Sequence, residues 1–139
     1  MIHGSGPGVS AWANWRLVLP KIAANRRVIA PDMVGFGYTD RPEGIQFNMD
    51  VWGKQLIDLM DALKLDLIDM VGNSFGGALA LYMAIHHPKR IRKLVLMGSM
   101  GTEFRLTLGL DNVWGYQPSQ EAMRSAINSF VYNKALAAD

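Results

Sequence analysis

The chain of 139 residues is long enough for one modest domain with a buried core. Half of its residues are hydrophobic and 19% are charged, which is typical of a folded protein. A formal net charge of +2 without a long basic run argues against a nucleic-acid partner. The absence of cysteine excludes disulfides, thiol catalysis and cysteine-ligated metal ions.

The sequence contains no segment of the kind that enters or crosses a membrane. Its apolar runs are too short to span a bilayer. The opening residues MIHGSGPG have neither the basic region nor the apolar region of a signal peptide. We therefore expect a cytoplasmic protein without a membrane partner.

The first third of the chain mixes strand and helix patterns. Ile2 has the position of the last residue of a strand, because a Gly/Pro loop follows it at once. Apolar residues at spacings of three and four predict a helix over residues 10–25, which Pro20 weakens. Residues 28–30 predict a short buried strand that runs into a glycine-rich loop.

The middle of the chain alternates regularly. Residues 50–64 predict an amphipathic helix with Asp50 as its N-cap. DLIDMVG predicts the next strand, GGALALYMAIHH an almost wholly apolar helix that ends before Pro88, and RKLVLMGS a third strand. This alternation predicts an α/β fold with a parallel sheet and crossover helices. From Thr102 onward the pattern predicts helical segments without a strand.

Glycine-rich or polar loops follow every predicted strand, namely HGSGPG, PDMVGFG, GNSFGG and MGSMG. In open parallel sheets, ligands bind beyond the carboxyl ends of the strands. We therefore expect a site at the edge of the sheet where these four loops meet.

The sequence GNSFG, residues 72–76, fits G-x-S-x-G, the pattern of a serine nucleophile on a sharp strand-to-helix turn. Side chains at Gly72 and Gly76 are expected to collide with each other or with a neighbouring strand. The helix that begins after Ser74 points free N–H groups at a developing oxyanion. An ordinary serine in a glycine-rich turn is the alternative, although the flanking apolar strand and helix favour a nucleophile.

The loop HGSGPG, residues 3–8, predicts the second part of an oxyanion hole. Such a hole needs two backbone donors from different segments. The residue after the nucleophile, Phe75, supplies one N–H, and Ser5 is well placed for the other. A plain turn is the alternative. A phosphate-binding loop is discounted because the lysine of that motif is lacking.

Together these motifs resemble the α/β-hydrolase fold. More narrowly, they resemble the meta-cleavage product hydrolases, which split carbon–carbon bonds in ring-fission products of aromatic degradation, and most of all the 2-hydroxymuconate semialdehyde hydrolase branch. The matching stretches are IHGSGPGVSAWANWR, RRVIAPDMVGFGYTDRP, VGNSFGGALAL, LVLMGSMG and GLDNVWGYQPS. The resemblance implies a partial α/β-hydrolase core over residues 1–105 and the start of a helical lid over residues 106–139.

The resemblance also implies roles for individual residues. Ser74 is the nucleophile, and the amides of Ser5 and Phe75 form the oxyanion hole. Asn14 and Asn73 line the polar half of the pocket, near the dienol and carboxylate of a small-molecule dienoate substrate. No metal ion or organic cofactor is implied. From the residues alone, Asn73 is also compatible with a residue that merely tolerates a strained turn, and Asn14 with an exposed helix position.

A serine nucleophile needs a base, and the chain has only three histidines. His3 is expected to fix its loop. His86 and His87 end the helix that begins beside Ser74, roughly 17 Å away at about 1.5 Å per residue. Asp32, at a strand end without a histidine to orient, is expected to be structural. We therefore interpret the chain as an internal fragment of a longer hydrolase whose triad acid and base lie elsewhere.

Other functions stay open at this point. A carboxylesterase or a cofactor-free haloperoxidase would use the same fold and nucleophile. A non-catalytic fragment or binding module would keep the pocket without the chemistry. Ser74 argues against haloalkane dehalogenases and epoxide hydrolases, which use aspartate at that position. Whether the longer protein is a homo-oligomer is not decided by these residues.

Overall fold

The computed structural model describes residues 1–6, 8–115 and 117–132. Pro7 of the first loop, Tyr116 and the end of the predicted lid, residues 133–139, lie outside the described residues. The chain divides into two compact units, Met1–Thr102 and Glu103–Asp139. Among the described residues, no helix is both long enough and apolar enough to cross a membrane.

The first unit contains helices and parallel strands in alternation, as the sequence predicts. Its elements are α1 (Ala11–Trp15), α2 (Leu19–Ala23), α3 (Met49–Ala62), β1 (Ile68–Asn73), α4 (Phe75–His86), a 3₁₀ turn (Pro88–Arg90) and β2 (Ile91–Met97). The second unit contains α5 (Leu108–Trp114) and α6 (Gln120–Phe130), with no strand among its described residues.

The two strands β1 and β2 pair in parallel, with Met70 opposite Leu94 and Gly72 opposite Leu96. The helix α4 is the crossover between them and packs on both strands. On the other side of β1, Ile2 forms a single parallel bridge with Gly72. Ile2 therefore lies beside β1 in the parallel sense, which is compatible with the predicted strand end, although the sheet among the described residues has two strands.

The strand predicted at residues 28–30 is wrong for this structure, which assigns no ladder there. Among the described residues, the neighbour of this segment is Met1. The Met1 ammonium group donates a hydrogen bond to the Ile29 carbonyl at 2.7 Å. A strand needs a partner that continues for several residues. The apolar sequence is therefore present without the neighbour that would turn it into a strand.

The helix predicted over residues 10–25 is two short helices, α1 and α2. Ser10 caps α1, because its hydroxyl accepts a hydrogen bond from the Ala13 amide at 3.0 Å. Pro20 lies in the first turn of α2, where its missing N–H costs no hydrogen bond. The proline therefore marks the start of a new helix.

The N-cap of α3 is Asn48 and not the predicted Asp50. The Asn48 side chain accepts a hydrogen bond from the Val51 amide at 3.0 Å. Asp50 instead lies in the first turn, where a carboxylate suits the positive end of the helix dipole. Its carboxylate accepts a hydrogen bond from the Tyr82 hydroxyl at 2.6 Å, which ties α3 to α4.

The core of the first unit lies where α4 packs on the sheet. Leu79, Ala80 and Met83 of α4 are fully buried, together with Met33 from the loop after residues 28–30. The aromatic ring of Phe75, at the start of α4, lies edge-on to Trp52 of α3 with ring centroids 4.7 Å apart. The first turn of α4 is therefore held by both the sheet and α3.

The second unit is helical in its described part, as the sequence predicts from Thr102 onward. The hydroxyl of Thr107 caps α5, and that of Ser119 caps α6. The rings of Phe104 and Trp114 lie 6.2 Å apart, so the chain before α5 packs against its last residue.

Candidate active site

Ser74 lies on a strained turn between the end of β1 and the start of α4. Its φ of 53° and ψ of −115° lie in a region that residues other than glycine rarely adopt. Such a conformation costs about 1–3 kcal/mol and persists only when its surroundings fix it. Here the Ser74 amide donates to the Met97 carbonyl at 2.9 Å, and the Ser74 carbonyl accepts from Met100 at 3.2 Å. The end of β2 thus fixes the turn on both sides of the serine.

The glycines around Ser74 are required by close backbone contacts. A methyl group at Gly72 would collide with the carbonyl oxygen of Gly76. A methyl group at Gly76 would collide with the carbonyl oxygens of Ile2 and His3. The predicted collisions are therefore confirmed, and they show how closely the first loop approaches the serine turn.

His3 is a structural residue, as predicted. Its ring is fully buried, and its Nε2 accepts a hydrogen bond from the Met33 amide at 3.0 Å. The 2.6 Å contact between Nδ1 and the Gly4 carbonyl then makes Nδ1 the donor. Both ring nitrogens are engaged in holding the first loop against the loop that contains Met33. His3 therefore has no nitrogen left to serve as a base.

Asn14 and Asn73 are brought together although 59 positions separate them in the chain. The Asn14 Oδ1 atom accepts hydrogen bonds from Asn73 Nδ2 at 3.0 Å and from the Gly4 amide at 2.9 Å. A methyl group at Gly4 would lie 3.5 Å from the Ser74 Cβ atom. The two asparagines and the first loop therefore surround the serine.

The same two asparagines keep one polar atom each for another partner. Both side chains are half-buried. The Gly4 amide can only donate, so the Asn14 atom that it contacts must be the oxygen, and the Asn73 atom bound to that same oxygen must be the nitrogen. Within the described residues, Asn14 Nδ2 and Asn73 Oδ1 make no hydrogen bond. The pair therefore offers a donor and an acceptor beside Ser74, and Asn14 is more than an exposed helix residue.

Two backbone amides are open beside the serine. Phe75 is the first residue of α4, so its N–H has no partner within the helix. In the described part of the chain, neither the Phe75 amide nor the exposed Ser5 amide donates a hydrogen bond. The Gly4 amide is already bound to Asn14. Ser5, the residue after Gly4, therefore keeps an N–H without a partner among the described residues.

Asp32 fixes loops, as predicted. Its Oδ1 accepts from the Ala11 amide at the start of α1, and its Oδ2 accepts from the Tyr38 amide at 3.0 Å. Sequence reasoning missed Gln55 of α3, which donates to the Asp32 carbonyl at 3.1 Å and accepts from the Val34 amide at 2.8 Å. A glutamine on an amphipathic helix gives no sign of this role in a single sequence.

His86 and His87 lie at the far end of α4 from Ser74, as predicted. The His86 ring is exposed and lies over Tyr82, with ring centroids 4.2 Å apart. Among the described residues, no histidine forms a hydrogen bond with Ser74. The site therefore combines a constrained serine, two open amides and an asparagine pair, and within the described residues no imidazole is hydrogen-bonded to the serine.

A serine on a glycine-flanked strand-to-helix turn, at the carboxyl end of a parallel sheet, is the arrangement that α/β-hydrolases use for their nucleophile. Residues 1–125 match the family described as the alpha/beta hydrolase fold, and the chain belongs to that family.

Curated relatives show which members of this family the chain is similar to. The chain is 57% identical over its whole length to a 2-hydroxy-6-oxo-2,4-heptadienoate hydrolase of Pseudomonas putida F1, of which it covers 50%. It is 58% identical to a 2-hydroxymuconate semialdehyde hydrolase of Pseudomonas sp. CF600, of which it covers 49%. The chain thus spans about half the length of the curated relatives it matches.

A solved structure agrees with the sequence comparison. A meta-cleavage product hydrolase from Pseudomonas fluorescens IP01 superimposes with a TM-score of 0.89 at 52% identity. The match covers 99% of this chain and 50% of that protein. These relatives are hydrolases of the α/β fold that act on meta-cleavage products.

Proposed function

We propose that this chain carries the nucleophile and the polar binding groups of a serine hydrolase that splits a carbon–carbon bond in 2-hydroxy-6-oxo-hexa-2,4-dienoates. The observation that carries the proposal is the asparagine pair beside Ser74, with one free donor and one free acceptor. An esterase needs the nucleophile, its base and acid, and an oxyanion hole, but no polar pair beside them, whereas a dienol carboxylate gives such a pair polar groups to bind. Two curated relatives that are 57% and 58% identical to this chain have names that support this substrate class.

In the proposed reaction the dienol is first ketonised. The Ser74 centre then engages the carbonyl next to the scissile bond, and negative charge develops on the carbonyl oxygen. The amides of Ser5 and Phe75 would stabilise that charge, a contribution that is often the largest single term in acyl chemistry. The electron pair of the broken bond stays on the dienolate, which takes up a proton and leaves as a 2-hydroxypentadienoate. The acyl group left on the Ser74 oxygen would then be hydrolysed by water, which releases a short acid and restores the serine hydroxyl.

The asparagines would orient the substrate before the bond breaks. Asn14 Nδ2 would donate to the carboxylate or to the dienol oxygen, and Asn73 Oδ1 would accept from the dienol hydroxyl. Because Asn14 Oδ1 is also bound to the Gly4 amide, the polar contacts and the oxyanion loop share one support. Substrate held in this way reaches the serine in a reactive orientation.

The base and acid of the triad would come from residues outside this chain. His3 is fully engaged by two backbone groups, and the other two histidines lie at the far end of α4. A serine without an adjacent imidazole is a weak nucleophile. We therefore expect the isolated chain to be inactive. In the whole protein, residues 106–139 would begin a lid over the site, and the protein would act in the cytoplasm.

A chimaera tests the substrate class. This chain would replace the matching half of the P. putida F1 relative, which supplies the remaining residues. We expect loss of the dienolate absorbance, with turnover of p-nitrophenyl esters far slower. The inactive control is the same chimaera with Ser74→Ala. Ready ester hydrolysis without dienoate cleavage would identify a carboxylesterase, and a folded chimaera inactive on both substrates would contradict the proposal.

A further inference from the structure

The half-buried side chain of Gln55 on α3 binds the backbone of residues 32–34 with both of its polar atoms. Its Oε1 accepts from the Val34 amide at 2.8 Å, and its Nε2 donates to the Asp32 carbonyl at 3.1 Å. Because the Val34 amide can only donate, the Gln55 atom that it contacts must be the oxygen, and the other atom must be the nitrogen. Gln55 is therefore a hydrogen-bond donor to the Asp32 carbonyl.

The Asp32 carbonyl belongs to the same peptide group as the Met33 amide. That amide donates to Nε2 of His3 at 3.0 Å, and both Met33 and His3 are fully buried. The peptide group is trans, so its C=O and N–H point in opposite directions. The hydrogen bond from Gln55 to the carbonyl therefore helps to fix the direction in which the N–H points at the imidazole.

The imidazole of His3 connects this peptide group to the first loop. Since Nε2 is the acceptor, Nδ1 carries the proton, and it lies 2.6 Å from the Gly4 carbonyl oxygen. That carbonyl shares a trans peptide group with the Ser5 amide. His3 therefore holds the peptide group whose N–H the proposed function assigns to the oxyanion hole.

We propose that Gln55 is a positioning residue for the oxyanion hole and that it acts through Met33 and His3 on the Ser5 amide. The inference rests on the proposed function, which gives that amide its role. Every group in this hydrogen-bond series accepts at one end and donates at the other, and each bond is directed from Gln55 toward Ser5. Hydrogen bonds in such a series strengthen one another by about 10–30% per bond. The series therefore orients the Ser5 N–H and makes it a stronger donor.

A simple support for the loop is the alternative role, because Gln55 binds two of its backbone groups. The variant Gln55→Glu separates the two roles. An ionised glutamate keeps an acceptor for the Val34 amide but cannot donate to the Asp32 carbonyl. A second variant, Gln55→Met, removes the donor without adding charge, and it serves if the glutamate variant does not fold.

The first measurement is dienoate cleavage by the chimaera with each variant. An oxyanion-hole donor acts mainly in the transition state, so we expect kcat to fall roughly 10-fold in both Gln55 variants with KM unchanged. The control is Asn48→Ala, which removes the N-cap of the same helix and leaves the hydrogen-bond series intact. Its kcat should stay near that of the unchanged chimaera.

The second measurement does not depend on catalysis. In the complete chain with isotope-labelled serine, the amide resonance of Ser5 is identified by its absence from the Ser5→Ala variant. We expect this resonance to shift in both Gln55 variants, because the Gly4–Ser5 peptide group is less polarised without the first donor. It should stay in place in Asn48→Ala.

Two results would overturn the inference. One is a kcat or a Ser5 resonance that both Gln55 variants leave unchanged. The other is an equal fall of kcat in Asn48→Ala, because the stability of α3 would then explain the effect. Failure of the proposed function would look different. A chimaera that hydrolyses only esters would still lose ester turnover in both Gln55 variants, since ester cleavage uses the same oxyanion hole.

Discussion

Asn14 holds three parts of the site together with a single oxygen atom. Its Oδ1 accepts from the Gly4 amide of the first loop and from Asn73 at the end of β1. Removing the side chain would leave two partly buried donors without an acceptor, at a cost of about 1–3 kcal/mol each. An alanine variant would therefore mix a loss of stability with any loss of substrate binding.

Asn14→Asp separates the two effects. Aspartate keeps the acceptor for Gly4 and Asn73, so we expect the urea midpoint of the chimaera to change little. It replaces the free Nδ2 donor by negative charge, which should repel a dienoate carboxylate and lower kcat/KM by roughly 100-fold or more. Hydrolysis of a neutral ester should fall far less. An equal loss on both substrates would show that Asn14 only supports the loop.

The residues of the site differ in how far the sequence could predict them. The turn at Ser74 has a local signature, because glycines are needed where backbones approach closely. The bond between Asn14 and Asn73 joins positions 59 apart and leaves no local pattern. Their predicted role as pocket residues therefore rested on the family resemblance alone. The hydrogen bond from Gln55 to Asp32 was indicated neither by a local sequence pattern nor by the family resemblance.

At the scale of elements, a helix or strand predicted from the sequence formed where its packing partners are present in this chain. The helix α4 and the strands β1 and β2 form as predicted, since each has its neighbours in this chain. Residues 28–30 have an equally apolar pattern and form no strand. The shift of the N-cap from Asp50 to Asn48 is a competition between two good caps, which the turn before the helix decides.

The buried amino group of Met1 predicts a pH-dependent stability. Its pKa is about 6 when folded and near 8.0 when unfolded, so between these values the unfolded chain holds more protons. The free energy of unfolding should therefore rise with pH across this window, by about 2 kcal/mol in total. Urea unfolding at pH 5.5, 7 and 8.5 measures the rise.

N-terminal acetylation is the matched control, because it removes only this titration. The other charged groups that line the cavity beside Met1 are Arg26, Arg27, Asp69 and Arg92. The Arg92 hydrogen bond lowers the pKa of Asp69, which keeps that carboxylate charged throughout the window. The acetylated chain should show a smaller rise with pH, and an identical rise in both proteins would show that the Met1 amino group is not its source.

At the scale of the whole molecule, the first unit is a sheet with open sides. On β2, Val95, Leu96 and Met97 are 54%, 41% and 46% exposed, although all three are apolar. Beside Met1, residues 26–29 and residues 67–71 line an open groove of about 460 Å³. Exposed apolar edges of this kind favour pairing with other chains. Catalysis is therefore best measured in the chimaera, where the remaining half can cover these edges.

The central claim is that Ser74 acts as the nucleophile in carbon–carbon bond cleavage. The most direct measurement compares dienoate cleavage by the chimaera with its Ser74→Ala and Ser99→Ala variants. Ser99 is a nearby serine whose hydroxyl donates to the Met100 carbonyl at 2.6 Å, so its loss should leave most of the activity.

For Ser74→Ala, we expect kcat to fall on the order of 10⁴-fold, while the early absorbance change from ketonisation persists. The serine would then be required for cleavage and not for the proton transfers before it. If Ser74→Ala kept more than about a tenth of the chimaera's cleavage rate, Ser74 would not be the nucleophile, and the account of the site would be wrong.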